Sequence, residues 1–251
     1  MNVALYSTGG NKWAMTERGR LSLKRDSNTI TIGPSSMRWE DGALTVDINE
    51  WTAPIPSRLR GTVKLRPHAL ARQAYPLDAG ADHYWRPIAP RGRIDVTFDN
   101  GTAWSGEAYL DSNWGDEPLE HRFRAWDWSR AHFSDSTIVY YDVAERHGEE
   151  RSLALKFDAT GAATSINAPP KSALPRTLWR MKPTTRGEHD AEPKMVRFLE
   201  DAPFYARSHL TGKIDGAPAD IMHETLSLDR FSNPVVRAML PFRMPRLVRR
   251  R

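Results

Sequence analysis

Trp104-Ser-Gly-Glu-Ala-Tyr-Leu-Asp-Ser-Asn-Trp-Gly-Asp-Glu-Pro-Leu-Glu-His-Arg-Phe-Arg-Ala-Trp-Asp-Trp-Ser-Arg130, followed by Ile138-Val-Tyr-Tyr-Asp142, decides how this chain reads. Aromatic rings alternate with small, polar and charged residues in short runs. A period of two places alternate side chains on opposite faces of a strand. Rings beside acids on a sheet describe an apolar pocket with a polar end.

The same pattern continues in both directions. V-A-L-Y-S, K-W-A-M-T, T-I-T-I, A-L-T-V-D-I, L-R-G-T-V-K-L, R-I-D-V-T-F and S-L-A-L-K-F join W-S-G-E-A-Y-L, F-R-A-W-D-W and T-I-V-Y-Y-D-V as strand candidates. Gly9-Gly10, Asp41-Gly42, Asp99-Asn100-Gly101, His147-Gly148 and Ala159-Thr160-Gly161 separate them as hairpin signals. Such spacing predicts an all-β protein of antiparallel sandwich or barrel type with few short helices. Ala168-Pro-Pro-Lys-Ser-Ala-Leu-Pro175 is the predicted boundary between a larger lobe, residues 1–168, and a smaller one, residues 169–251. Thr184 to Pro193 reads as a polar mobile loop, with strand-like runs beyond it, and Asp229 to Leu240 reads as one short helix.

The 251 residues include nine tryptophans and no cysteine. Disulfides, thiolate metal sites and cysteine nucleophiles are therefore excluded. The net charge is +5, but from Asp201 onward nine Lys/Arg face five Asp/Glu, which leaves the preceding residues almost neutral. That balance does not fit the continuous basic face of a nucleic-acid binder. The start lacks the basic flank and long apolar core of a signal peptide, and no run approaches the roughly 20 apolar residues of a membrane span, so a soluble or peripheral protein is expected.

Tyr140 and Asp142 share one face of their strand. An acid one pleat from a phenol, buried without a cation, is held neutral and is a candidate proton donor. The alternative is that Asp142 ends the strand and pairs with Arg146 in solvent. Asp111 to Pro118 reads either as a plain Asx-type turn or, because Trp114 lies in it, as a cover over a site. Trp126 and Trp128 share a face with Arg124 and Arg130, the pattern of a cation–π seam more often than of a ligand site. The eight histidines lack metal-ligand spacing, and phosphate-loop, dinucleotide and Gly-x-Ser-x-Gly motifs are missing, so no metal or nucleotide is expected.

With these residues in view, the chain resembles the carotenoid 1,2-hydratases, or hydroxyneurosporene synthases, of phototrophic bacteria. The resemblance runs through N-V-A-L-Y-S with W-A-M-T-E-R-G-R, G-P-S-S-M-R-W-E-D-G (33–42), R-L-R-G-T-V-K-L-R-P-H (58–68) and H-Y-W-R-P-I-A-P (83–90). It continues through Y-L-D-S-N-W-G-D-E-P-L-E (109–120), V-Y-Y-D (139–142), F-Y-A-R-S, H-E-T-L-S-L-D-R-F and M-L-P-F-R-M-P. It implies two lipocalin-like β-barrel lobes and cofactor-independent addition of water to the terminal double bond of an acyclic carotene. It also implies catalytic roles for Asp142, Tyr140 and Trp114. Relatives often read D-H-N-W where this chain has Asp111-Ser112-Asn113-Trp114, so placing the water falls to Asn113 or Asp111, with Trp126 and Trp128 as further pocket residues. Family members carry a few dozen residues ahead of N-V-A-L-Y, where this chain begins.

A non-catalytic carrier of a hydrophobic ligand and a cyclase of the same fold are the competing readings. Because carotenes reside in bilayers, a cytoplasmic protein attached peripherally to the inner or photosynthetic membrane is expected. The acid-free tail from Val235 to Arg251, with six arginines, is the candidate contact. Pro241 and Pro245 predict an irregular arm there, with Arg246 to Arg251 free if Met239 to Met244 packs back onto the body.

Overall fold

The computed structural model describes residues 1–7, 9–188 and 190–247, with only the backbone of residue 247. The chain is mainly β, and the predicted strands form where alternation placed them. Asp41 and Gly42 turn with φ of 50° and 70°, as the tightest two-residue hairpins require, and Asp215-Gly216 repeats this with 55° and 75°.

Two large antiparallel sheets result. One, of eight strands, runs Ala103–Gly115, His83–Phe98, Arg58–Pro67, Ala43–Trp51, Ser35–Glu40, Thr29–Ile32, Leu23–Arg25, with Tyr75–Pro76 paired to His83–Phe98 off this path. The other, of seven strands, runs Ala163–Ser165, Glu150–Phe157, Thr137–Glu145, Phe123–His132, Ala217–Ser227, Tyr205–Ile214, Lys194–Asp201.

Two compact units comprise residues 1–68, 92–108 and 238–251, and residues 69–91 and 109–237. The chain does not divide at residue 168. Pro169 and Pro170 interrupt the ladder, but the chain then forms a small hairpin, Lys171–Ala173 with Thr184–Arg186. It re-enters the same sheet when Ala217–Ser227 pairs with Phe123–His132. Residues 169–251 are therefore not a lobe of their own. The predicted loop from Thr184 opens as a strand for the same reason.

In the first unit, Ala14, Ile48, Leu59, Val96 and Phe98 form the apolar core. Beside it the Arg18 guanidinium holds buried Glu50 through two bonds of 2.9 and 2.6 Å, and the Ser35 hydroxyl donates to the same carboxylate at 2.6 Å. Glu50→Gln removes the charge that compensates Arg18 and is expected to cost about 3 kcal/mol, read from a denaturant midpoint.

The helix expected over 229–240 is split. Ser227 caps Leu228–Phe231, while Asn233 accepts the Val235 N–H at 2.9 Å and starts Pro234–Arg243. Pro241 lies inside this second helix, contrary to the irregular arm expected there. So near the end it removes only the bond to the Arg237 carbonyl, which a short helix tolerates. Arg246 is not free either, since it pairs with Glu17 beside a parallel Arg246–Leu247/Glu17–Arg18 bridge. The expectation for residues 248–251 lies outside the described residues. No helix among those described is long and apolar enough to cross a membrane.

Candidate active site

Alternation along Thr137–Glu145 sorts its residues between two covered faces. Val139, Tyr141 and Val143 enter an aromatic cluster, whereas Ile138 and Tyr140 enter a separate core with Leu174, Leu210 and Ile221. The neighbouring strands follow the register, with Trp128 opposite Tyr141 and Glu224, and Asp127 opposite Asp142 and Thr225.

On the aromatic face, fully buried Trp85 donates its Nε1–H to Asp111 Oδ2 at 2.8 Å, and the Tyr109 hydroxyl donates to the same oxygen at 3.2 Å. Ring centroids lie 5.3 Å apart for Tyr109 and Trp128, 5.6 Å for Trp85 and Tyr141, and 6.2 Å for Trp126 and Tyr141. The Arg130 guanidinium sits 5.2 Å over the Tyr109 ring, and Glu224 is paired with Arg207. Burial raises the Asp111 carboxyl above its ordinary pKa, and the negative charge of Glu224 adds to the effect. The Trp85 and Tyr109 hydrogen bonds and the Arg130 charge oppose the rise without cancelling it. Trp128 Nε1 is buried and bonds to no described residue. A carboxyl that favours its proton, walled by aromatic faces, is equipped to protonate an apolar substrate and to stabilise the cation that forms.

The opposite face has different chemistry. Asp142 is buried, as expected, but not without a cation. Arg186 donates Nε–H to Oδ2 at 2.9 Å and Nη2–H to Oδ1 at 2.5 Å, and the Ser152 hydroxyl donates to Oδ1 at 2.5 Å. Three donors thus converge on one carboxylate, two of them from a guanidinium. The alternative partner, Arg146, instead pairs with Asp229 at 2.9 Å. Tyr140 lies buried on this same face, its hydroxyl pushed up to about 12 by burial and then by the charges of Glu188 and Asp215. Asp127, across from Asp142, is satisfied by the hydroxyls of Thr184 and Thr225 at 2.6 and 2.5 Å.

Asp111 to Gly115 is strand, not turn, because the bend waits until Asp116. Trp114 therefore points away from Asp111. It is 46% exposed and stacks on Tyr84 at 5.6 Å, outside the aromatic cluster. Asn113 shares the Asp111 side by alternation but is exposed. Arg124 leaves the expected seam because it occupies a bulge between Phe123 and Ala125. Gly115 is needed where it stands, since a Cβ there would lie 2.0 Å from Cδ2 of buried His83, whose Nε2–H donates to the Glu117 carbonyl at 2.9 Å. Gly115→Ala is expected to cost about 2 kcal/mol by overpacking, measured by thermal melting.

Sequence reasoning missed Trp85, Tyr141 and Arg186. Tyr141 was within reach, because alternation placed it with Val139 and Val143 on an apolar face. Arg186 had no local signal.

Fold and site together define a β-rich protein whose second unit encloses an aromatic, acid-bearing cluster on one face of a sheet. The chain belongs to the carotenoid hydratase CrtC family, which matches residues 1–251. It is 49% identical over 249 residues to an acyclic carotenoid 1,2-hydratase of Thiocapsa roseopersicina and 46% identical over 248 residues to one of Rubrivivax gelatinosus. Each alignment covers 98% of this chain, which spans 62% and 61% of those relatives. A crystal structure of an AttH protein from Nitrosomonas europaea shares the fold, with a TM-score of 0.58 at 18% identity, over 87% of this chain and 75% of that one.

Proposed function

We propose that this chain is a carotenoid 1,2-hydratase, a hydro-lyase that adds water to the terminal C1–C2 double bond of an acyclic carotene such as neurosporene or lycopene, without a cofactor. The observation that carries the chemistry is Asp111, a half-buried acid with a raised pKa held by two neutral donors beside an aromatic cluster. Neutral Asp111 gives its proton to C2, and the electron pair of the double bond leaves a tertiary cation at C1. The faces of Trp85, Tyr109, Trp128 and Tyr141 stabilise that cation. Water adds at C1, placed by Trp128 Nε1–H, and returns a proton to the Asp111 carboxylate, which restores the acid. Names of the aligned relatives support the substrate class, and two large antiparallel sheets support reading the units as lipocalin-related lobes. We also infer a cytoplasmic protein attached peripherally to the membrane that holds its substrate.

The resemblance favours a second reading, in which Asp142 is the acid and Tyr140 and Trp114 assist. Burial of Asp142 beside Tyr140 on one strand face supports it. It requires Arg186 to release the carboxylate before a proton can be carried.

Incubation with lycopene or neurosporene and mass analysis of the product tests the activity. A gain of one water is expected, with deuterium at C2 when the solvent is heavy water. Unchanged mass with a new ring would make the chain a cyclase, and bound but unaltered carotene would make it a carrier. Because the active form of Asp111 is protonated, the rate is expected to be highest at low pH and to fall as pH rises through its raised pKa. The stability contributed by partly burying the neutral acid is lost in the same direction. A pH–rate profile of kcat checks this.

A further inference from the structure

A cavity of about 830 Å³ in the first unit carries the cations Arg18, Lys24, Arg58 and Arg246 beside Leu21 and Trp51. Arg18 and Arg246 are matched by Glu50 and Glu17. Lys24 meets no acid among the described residues, and Arg58 lies over the Trp51 ring at 5.2 Å. No Asp or Glu lines the cavity. Arg20 and Arg25 flank Leu21, Ser22 and Lys24 in sequence and likewise meet no acid among the described residues. Among these cations, large apolar side chains also face outward. Leu21 is 70% exposed, and Ile55, in the loop that joins Trp51 to Arg58, is 81% exposed. Leu23 and Trp51 are exposed as well.

Positive charge in a groove rimmed by outward-facing leucine, isoleucine and tryptophan matches one partner in both respects. Phosphates of anionic lipids answer the cations, and the acyl boundary just beneath them accepts the apolar rim. Tryptophan is at home at that depth. A free phosphate would use the cations but would leave Leu21 and Ile55 without a reason to face solvent.

We propose that this groove is the docking surface of the chain for the anionic phospholipid headgroups of a bilayer leaflet, with Leu21, Ile55 and Trp51 entering the interface. The contact is set in the folded first unit, and Arg246 contributes to it as a fixed part of the groove wall. The surface stands on the geometry of this unit alone and is independent of which acid protonates the substrate. For a carotene hydratase it adds a route by which an insoluble substrate passes directly from the membrane.

Co-sedimentation with vesicles tests it, using phosphatidylcholine alone and phosphatidylcholine mixed with phosphatidylglycerol. The chain is expected to pellet with the mixed vesicles, less so as salt rises. Lys24→Glu with Arg58→Glu is expected to weaken partitioning by at least about tenfold. Leu21→Ser with Ile55→Ser is expected to weaken it on vesicles of either charge. These side chains lie at the surface, so thermal melts should match the parent chain, and Lys24→Gln with Arg58→Gln replaces the charge reversal if they do not. Hydration of detergent-dispersed carotene should be unchanged in all variants, whereas hydration of carotene embedded in vesicles should fall. Equal pelleting on neutral and mixed vesicles, or pelleting untouched by the charge changes, overturns the proposal. It is overturned equally if no pelleting occurs while inorganic phosphate raises the melting temperature in a Lys24- and Arg58-dependent way, since that result defines a small-anion site.

Discussion

Asp111→Asn is expected to lower the turnover of carotene hydration about 10³-fold while leaving the fold and carotene binding in place, because an amide has no proton to give an alkene. The substitution is close to isosteric. Trp85 Nε1–H and the Tyr109 hydroxyl, which now donate to Oδ2, keep an acceptor in the amide oxygen. A loss of turnover at unchanged melting temperature, with residual product still carrying solvent deuterium at C2, is the expected combination. Turnover within a few-fold of the parent chain would remove Asp111 from the reaction. Partial burial beside Trp85 and Tyr109 also explains why this acid suits alkene protonation. A water-exposed carboxyl would be ionised at neutral pH, and any cation it formed would be quenched before it was guided.

Asp142→Asn is expected to act first on stability. Arg186 would keep its guanidinium in a covered position, side-chain exposure 14%, without the carboxylate that now accepts two of its N–H bonds. Breaking a buried pair from one side costs about 3 kcal/mol or more, visible as a lower denaturant midpoint. Hydration per folded molecule should then stay within a few-fold of the parent. Asp142→Asn combined with Arg186→Gln should recover part of the midpoint, since neither charge is then stranded. Should the recovered double variant fold well and still have lost hydration by orders of magnitude, the acid is Asp142 and the Arg186 hairpin must open during turnover. The two substitutions thus divide the two readings of the site without relying on activity alone.

Much of the architecture was legible because it is local. Alternation with a period of two identified the strands, since a side chain on a pleated backbone has only two directions to point. The hairpins were legible because Asp41-Gly42 and the other turn pairs can reach positive φ where most residues cannot. Local rules also placed Tyr140 and Asp142 together on one face, and they implied, unused, that Tyr141 joins the aromatic face.

Partners far apart along the chain were not legible. Arg186 reaches Asp142 across 44 residues, and Trp85 reaches Asp111 across 26. No spacing in the sequence encodes either meeting. The pair of prolines after Ala168 looked like the end of a lobe. Whether a broken ladder ends a domain or resumes elsewhere depends on which sheet edge still has unpaired N–H and C=O groups. Here the edge of Phe123–His132 is completed by Ala217–Ser227, some ninety residues later. The sequence by itself determined an all-β chain rich in rings and acids. Which acid is answered by a cation and which is held by neutral donors was decided only by the tertiary structure, because Arg186 and Trp85 reach Asp142 and Asp111 from distant parts of the chain.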